Sequence, residues 1–246
     1  VGTIDDKSFN QGSWEGVKKY GDENGVAYKY YKSAEATTDS FQETIALAIE
    51  GGAKVIVCPG FLFEEPIYNM QTQYPDVKFI LIDGEPHDAE SNYATAENTM
   101  AVLYEEDQAG FLAGYAAVKD GYTKLGFMGG MALPAVIRYG YGYLAGADYA
   151  AKELGVDVDV TYTYTGSFEA TPEAQSMATG WYQAGTEVIF ACGGSVGNSV
   201  MAAAEASDNA KVIGVDVDQS SESDTVITSA MKMLSNSVYD AIQAAY

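Results

Sequence analysis

The chain of 246 residues is long enough for one large domain or two ordinary ones, because single hydrophobic cores stop growing at roughly 250–300 residues. Apolar residues make up 47% of it, which is enough to bury a core and argues against a disordered segment. Its 35 acidic residues against 13 basic ones give a net charge of −22, which argues against binding to nucleic acid or to an anionic bilayer.

The first half of the sequence predicts helices that alternate with short apolar strands. Residues 11–24 carry Trp14, Val17 and Tyr20 at helical spacing, and Gly25 ends the helix. The same reasoning predicts helices at residues 38–49 and 64–73, and strands at residues 28–31, 54–58, 78–82 and 92–97.

The second half continues the alternation after a long helix over residues 105–118, which we expect to begin a second lobe. Residues 226–229 are predicted as a strand that returns to the first lobe. The other elements predicted here are helices at residues 138–154, 172–183 and 197–206, and strands at residues 124–128, 158–164, 187–191 and 211–215.

Both ends of the sequence are abrupt. The first predicted loop already lies at residue 5, and residues 238–242 open a helix that the sequence does not finish. We therefore expect the sequence to be a trimmed part of a longer precursor. No apolar run reaches the ~18 residues of a membrane-spanning helix.

The two halves resemble each other at an offset of 133 positions. The run 54–57 recurs at 187–190 (187 − 54 = 133), and the run 78–83 recurs at 211–216 (211 − 78 = 133). Each copy is an apolar strand that ends in a polar turn, which is typical of parallel sheets. The repeat predicts an α/β fold with two doubly wound parallel-sheet lobes joined by hinge strands.

We place the first lobe at residues 1–103, with 229–246 returning to it, and the second at 104–228. Two such lobes would face each other across a cleft lined by strand ends, where open α/β sheets bind ligands.

The cysteines and the single histidine are not expected to carry chemistry. Cys58 and Cys192 each end an apolar strand on a different lobe, so we interpret them as small buried hydrophobic residues rather than a disulfide. His87 lies in a polar loop and is expected to be solvated. No Cys or His spacing predicts a zinc site.

The segment that begins at Asp216 resembles a calcium-binding loop but lacks two of the residues that such a loop requires. Acidic and hydroxyl side chains alternate from Asp216 to Asp224, but the sixth position is Ser221 instead of Gly and the twelfth is Ile227 instead of Glu. We therefore predict neither a metal nor a cofactor.

The densest polar segment is residues 5–11, Asp-Asp-Lys-Ser-Phe-Asn-Gln. It would offer backbone N–H groups at a helix N-terminus, short polar side chains such as Ser8, and an aromatic ring, Phe9, for a ligand. The same residues would also suit a capped helix start in which Phe9 is a hydrophobic staple. Spacing alone does not decide between these interpretations.

Six segments together resemble the basic membrane protein family, the purine nucleoside receptor A-like substrate-binding lipoproteins of ABC transporters. The most specific of them is DDKSFNQ at residues 5–11. The others follow in the right order over nearly the whole chain, at residues 111–115, 137–143, 193–194, 215–219 and 228–232.

This resemblance implies a type I periplasmic-binding fold without catalysis, in which a nucleoside base, expected to be a purine, is stacked between one aromatic ring from each lobe. Phe9 would supply the first ring and Tyr139 the second, at a position where relatives often carry Phe. The extra hydroxyl leaves stacking intact.

The resemblance also implies polar contacts to the base. Asn10, with Asp5 or Asp6 beside it, would bond the polar edge of the ligand. Asp107 matches the position that would read the base, although Glu106 and Gln108 are its neighbours.

Further contacts are implied for the sugar. Asp216 would accept hydrogen bonds from the ribose hydroxyls, Lys232 would donate to them, and the backbone at Gly193 and Gly194 would come close. A carboxylate that receives two hydroxyl donors favours ribose over deoxyribose, because a deoxy analogue leaves the carboxylate partly unpaired.

As a whole the resemblance implies an extracytoplasmic, monomeric solute-binding component that delivers a nucleoside to an ABC permease. It would lie in the periplasm or at the outer face of the cytoplasmic membrane, held only by a lipid anchor upstream. Three alternatives remain open from the residues: a receptor for a sugar or other small polar metabolite, a nucleoside hydrolase with calcium at Asp216 and Asp218, and a soluble regulator that uses the lobes as a sensor.

Overall fold

The computed structural model describes residues 3–246, which divide into two compact units. Unit 1 contains Asn10–Tyr104 and Leu234–Tyr246, and unit 2 contains residues 3–9 and Glu105–Met233. The break after Tyr104 lies one residue beyond the boundary that the sequence predicts. Residues 229–233, which were expected in the first lobe, belong to unit 2, as do residues 3–9.

The elements follow one another in alternating order. In the first half these are α1 (Phe9–Asn24), α2 (Thr38–Glu50), β1 (Val55–Pro59), a 3-10 turn (Phe61–Phe63), α3 (Glu64–Gln73), β2 (Lys78–Ile82) and β3 (Thr99–Val102). In the remainder they are α4 (Glu106–Lys119), β4 (Lys124–Gly129), α5 (Pro134–Leu154), β5 (Asp159–Tyr164), α6 (Pro172–Gln183), β6 (Val188–Cys192), α7 (Val196–Glu205), β7 (Lys211–Asp216), β8 (Val226–Met231) and α8 (Leu234–Ala245).

Unit 1 contains a parallel sheet in the order β1-β2-β3. Its core forms where apolar side chains of these strands meet those of α2 and α3, as at Ile45, Ile67 and Phe79. The strand predicted at residues 28–31 is wrong, because no ladder to other described residues forms there. Instead the Tyr28 and Tyr30 rings pack edge-on against Trp14.

The strand predicted at residues 92–97 is also wrong, since the third strand is β3. Side chains satisfy the backbone of this stretch where a ladder was expected. The Asp88 carboxylate accepts the Asn92 N–H at 2.8 Å, and the Gln71 amide bonds both Ala94 O and Ala96 N–H. Polar side chains thus compete with strand pairing here.

The internal repeat is visible in the strand register. Val55 pairs with Lys78 in unit 1, and Val188 pairs with Lys211 in unit 2, both shifted by 133 positions (188 − 55 = 133; 211 − 78 = 133). Asp83 and its counterpart Asp216 follow with left-handed backbone at φ 65° and 67°. The duplicated segments therefore share strand pairing and the turn that ends the second strand.

Unit 2 contains a five-stranded parallel sheet in the order β5-β4-β6-β7-β8. One face packs against α4 and α5, and the other against α6 and α7. The last strand pairs with β7 and therefore completes this sheet instead of returning to the first lobe. Because all pairs are parallel, the carboxyl ends of the strands meet at one edge.

Helices α4 and α5 approach each other unusually closely through two reciprocal pairs of glycines. A Cβ atom at Gly110 or Gly114 would overlap the carbonyl oxygen of a tyrosine on α5. A Cβ atom at Gly142 or Gly146 would overlap a carbonyl oxygen on α4. Backbone therefore contacts backbone, which fixes the start of α4 beside the start of α5.

Substitution of one of these glycines tests the closeness of this contact. Gly114→Ala should destabilise the protein by about 1–3 kcal/mol, because the new methyl group meets the carbonyl of Tyr143 and forces the helices apart. Thermal and urea unfolding would measure the loss.

Gly180 in α6 is the matched control, because a Cβ atom there meets nothing within 4 Å. Gly180→Ala should stabilise the protein by roughly 0.5–1 kcal/mol through helix propensity. Equal effects of the two substitutions would contradict the close packing of α4 and α5.

Candidate ligand-binding site

Buried polar side chains gather at the carboxyl edge of the unit 2 sheet. Ser8 Oγ donates to Asp216 Oδ2 at 2.6 Å, and the Ser8 N–H donates to Asp6 Oδ1 at 3.0 Å. All three residues are at most 6% exposed. Buried polar groups of this kind need partners, so the bonds tie the loop at residues 3–9 to the end of β7.

Gln219 holds the turn that carries Asp216. Its Oε1 accepts the Val215 N–H at 2.9 Å, and its Nε2 donates to Lys7 O at 2.8 Å. No role was expected for Gln219 from the sequence, although it is the last residue of the segment 215–219 that contributes to the family resemblance.

Lys232 follows β8 and brings a buried ammonium group to the same edge. Its N–H donates to Asp216 O at 2.8 Å, and its side chain is 4% exposed. The Nζ atom lies 3.1 Å from Glu106 Oε1 and 5.3 Å from the centroid of the Phe9 ring. The predicted sugar donor is therefore held by a carboxylate and an aromatic face.

Glu106 lies at the first residue of α4, where the helix dipole favours an acidic side chain. Its fully buried carboxylate accepts a hydrogen bond from Arg138 at Oε2 and forms an ion pair with Lys232 through Oε1. Glu106, the neighbour of Asp107, thus reaches Lys232, and the main chain of Asp107, the residue predicted to read the base, lies against Gly142. Arg138, the only arginine in the sequence, was given no role although it lies in the segment 137–143 of the family resemblance.

The expectation that Phe9 and Tyr139 supply one accessible ring from each lobe is wrong. Tyr139 is 2% exposed, its hydroxyl donates to Ala230 O at 3.1 Å, and its ring packs edge-on against Phe190. Tyr139 and Phe9 also belong to the same unit. Helix α5 turns Tyr139 toward the sheet, so the ring is part of the core.

A half-buried aromatic ring that the sequence analysis missed lies after β5. The Phe168 ring contacts Gly130, and its carbonyl accepts the Ser195 N–H at 3.0 Å. The predicted Gly193 and Gly194 are at this same edge, and a Cβ atom on Gly194 would lie 3.5 Å from Phe168 O. The signal in the sequence was an aromatic residue in the polar turn after a strand.

The remaining predicted residues lie around the loop. Asp5 is exposed, and its N–H faces Thr3 Oγ1 at 3.4 Å. Phe9 is half-buried at the first position of α1. Asn10 is half-buried too, and it belongs to unit 1.

The electrostatics of the site centre on Asp216. Burial raises the pKa of this carboxyl above its usual 3.8, and the nearby charges of Asp6 and Glu106 raise it further. Lys232 and the hydrogen bond from Ser8 act in the opposite direction on the same pKa. The site can receive hydrogen-bond donors at a carboxylate, place an ammonium near them, and offer a ring face.

Residues 3–246 contain no group of three or more His, Cys, Asp or Glu side chains arranged to hold a metal ion. None of the helices described is long and apolar enough to cross a bilayer.

Comparisons with known proteins place these residues in context. A family model described as ABC transporter substrate-binding protein PnrA-like matches residues 1–246. A nucleoside-binding protein of an ABC transporter from Lactococcus lactis, BmpA, is 31% identical over 88% of this chain, which spans 61% of that relative. Basic membrane protein A of Borreliella burgdorferi is 32% identical over 94% of the chain and 66% of its own length.

A comparison with solved structures gives the same class of protein. A solute-binding protein of an ABC transporter system from Aeropyrum pernix superimposes with a TM-score of 0.87 at 28% identity, over 100% of this chain and 68% of that one. The predicted α/β class with the type I periplasmic-binding fold is thereby confirmed, and so is the resemblance to the basic membrane protein family.

The raised pKa of Asp216 should make stability depend on pH. The contribution of this group is full below its usual pKa of 3.8 and is lost as the pH rises through the raised value. Asp216→Asn cannot ionise, so its melting temperature should rise relative to the unsubstituted protein over that interval and then keep a constant difference. Melting curves of ligand-free protein between about pH 3.5 and 7 measure this.

Asp218→Asn is the control of opposite sign, because a hydrogen bond from the Ser220 backbone lowers the pKa of Asp218. Its melting temperature should fall relative to the unsubstituted protein as the pH rises toward the usual pKa of 3.8, and should then keep a constant difference. A pH-independent difference for Asp216→Asn would contradict the buried setting of that carboxyl.

Proposed function

Because the chain belongs to the PnrA-like family of ABC transporter substrate-binding proteins, we propose that it binds a nucleoside, with a purine preferred, and delivers it to a membrane permease. The observation that carries this proposal is the buried Asp216 carboxylate, which accepts a hydrogen bond from Ser8 and interacts electrostatically with the Lys232 ammonium, itself beside an aromatic ring. The name of the Lactococcus lactis relative, a nucleoside-binding protein, supports the ligand class.

The sugar of a nucleoside suits the polar part of this site. Ser8 Oγ already donates to Asp216 Oδ2, so the hydroxyls of a ribose would be received at Oδ1. Charge-assisted hydrogen bonds of this kind are roughly twice as strong as neutral ones. Lys232 would donate to the sugar from its buried position, and the main chain at Gly193 and Gly194 would border it.

The base would stack on Phe9, because the ring is half-buried while the Tyr139 ring is not accessible. Phe168 is the second aromatic residue that we assign to the site, in place of Tyr139, because it too is half-buried at the carboxyl edge. Asp5, Asp6 and Asn10 remain assigned to the polar edge of the ligand. Stacking of a base on an aromatic ring contributes ~1–3 kcal/mol.

The charges of the site favour a neutral ligand over a nucleotide. Among the cations near it, Lys232 and Arg138 share the Glu106 carboxylate, and Lys7 pairs with Glu222 at 3.5 Å. A phosphate would instead meet the carboxylates of Asp6 and Asp216, and like charges repel in a buried site.

The wider role follows from the family. We assign the protein to the outer side of the cytoplasmic membrane, where a lipid-anchored monomer would present its ligand to an ABC permease without a catalytic step. The chain spans 61% of the length of the Lactococcus lactis relative, and these statements concern the whole protein.

Calorimetric titration tests the ligand class. Inosine, adenosine or guanosine should bind, whereas AMP and free ribose should bind far more weakly. Asp216→Ala should weaken ribonucleoside binding far more than 2′-deoxyribonucleoside binding, because only ribose offers the full diol to the carboxylate. Preferential binding of a sugar would favour a sugar receptor, and equal losses for both nucleoside types would contradict the role of Asp216.

The role of Phe9 can be separated from that of a helix staple. Phe9→Ala should lose roughly 1–3 kcal/mol of nucleoside affinity, as expected for one base stack, with little change in melting temperature. Tyr139→Phe should bind nearly as well as the unsubstituted protein, because that ring serves the core. Unchanged affinity with a much lower melting temperature for Phe9→Ala would show that Phe9 is a staple.

A further inference from the structure

The Glu106 carboxylate lies between two cations of unit 2 and contacts both. Its Oε2 accepts a hydrogen bond from Arg138 Nε, and its Oε1 lies 3.1 Å from Lys232 Nζ. The side chain of Glu106 is 0% exposed, that of Lys232 is 4% exposed and that of Arg138 is 41% exposed. The three residues come from α4, α5 and the chain after β8, so the contact joins separate elements.

Burial of the Glu106 and Lys232 charges has a free-energy cost that their contacts must offset. Removal of an ion from water costs several kcal/mol even after the protein relaxes, and the contacts of Glu106 with the two cations offset part of that cost for the buried carboxylate and the buried ammonium. The guanidinium is planar and rigid, whereas the lysine ammonium sits on a flexible four-carbon stem. Arg138 can therefore hold the Glu106 carboxylate in position, and that carboxylate can hold the Lys232 ammonium in position.

A second carboxylate competes for Lys232. Asp216 is buried, its carbonyl oxygen accepts the Lys232 N–H, and its charge interacts with the Lys232 ammonium. If Glu106 did not hold the ammonium, Lys232 would be free to pair with the Asp216 side chain. That pair would occupy the carboxylate oxygens that a ribose needs.

We propose that Glu106, held by Arg138, is a positioning residue that keeps Lys232 off the Asp216 carboxylate and directs its ammonium toward the sugar of the ligand. The inference rests on the nucleoside-binding function proposed above and adds to it two residues that need not touch the ligand. Glu106 acts through Lys232, and Arg138 acts through Glu106.

The test is a set of titrations with inosine and with hypoxanthine, which has the base but no sugar. Glu106→Gln keeps the shape and removes the charge, so inosine affinity should fall about ten-fold, or about 1.4 kcal/mol. Lys232→Met should show a similar loss, and the double variant should be no worse than either, because both act on one contact. Hypoxanthine affinity should change little.

The pH profile gives a readout that a merely structural role would not move. Glu106 raises the pKa of Asp216, and Lys232 lowers it. In Glu106→Gln the first influence is lost and Lys232 moves closer, so the pKa of Asp216 should fall. Protonation of Asp216 at acid pH should weaken inosine binding, because the neutral carboxyl is a poorer acceptor. In Glu106→Gln this weakening should begin at a lower pH than in the unsubstituted protein.

Glu153→Gln is the matched control. Glu153 pairs with Lys119 at 2.8 Å and thereby also joins α5 to α4, but this pair is exposed and remote from the buried cluster in sequence. Its loss should leave both affinities unchanged. Arg138→Gln serves as the second variant if Glu106→Gln does not fold. It removes the guanidinium that holds Glu106 but substitutes neither Glu106 nor Lys232. It should reduce the affinity for inosine and leave the affinity for hypoxanthine unchanged.

The outcomes separate the two proposals. Absence of nucleoside binding by the unsubstituted protein overturns the proposed function and this inference with it. Nucleoside binding that Glu106→Gln leaves unchanged overturns the inference alone. Equal losses for inosine and hypoxanthine also overturn it, because they show a structural role.

Discussion

Burial of several charges at one edge of a parallel sheet is the constraint on which the site depends. Asp6, Glu106, Asp216 and Lys232 are each at most 6% exposed, and none could remain ionised there without partners. Hydrogen bonds from Ser8 and Arg138 and the ammonium of Lys232 supply those partners. Asp216 and Lys232 thus belong to this network and are also the groups that we propose for the recognition of a neutral ligand with hydroxyl groups.

The parallel sheet of unit 2 and the close packing of α4 and α5 bring these buried charges together. Parallel strands bring Asp216 and the chain before Lys232 to the same edge, and the glycine contacts between α4 and α5 bring Glu106 beside Arg138. A looser helix pair would separate that carboxylate from its guanidinium. Fold and candidate site are therefore coupled through backbone contacts between two helices.

Much of the fold could be predicted, because apolar runs of five or six residues bounded by Gly or Asp identify buried parallel strands. Residues 28–31 and 92–97 do not form the predicted strands, because ring contacts and side-chain hydrogen bonds such as those of Gln71 and Asp88 take the place of a ladder. The strand at residues 226–229 forms but pairs with β7 instead of returning to the first lobe. All three outcomes depend on tertiary contacts. The segment at residues 5–11 and Asp216 were found by their polarity.

The rest of the site could not be read from the sequence, for reasons that are physical. Tyr139 is one of several tyrosines on α5, and only the direction of the helix decides that its ring enters the core. Glu106 and Asp107 are adjacent acidic residues, and only the rotation of α4 decides that Glu106 faces Arg138. Burial and helix rotation are long-range properties, so patterns of residue types leave them open.

Hydrogen–deuterium exchange of the intact chain, with and without a saturating purine nucleoside, tests the central claim most directly. The account predicts slower exchange on binding in residues 3–9 and 214–219, where Ser8, Asp216 and Gln219 hold the loop against the sheet. Slower exchange confined to other parts of the chain, or no change at saturating ligand, would contradict it.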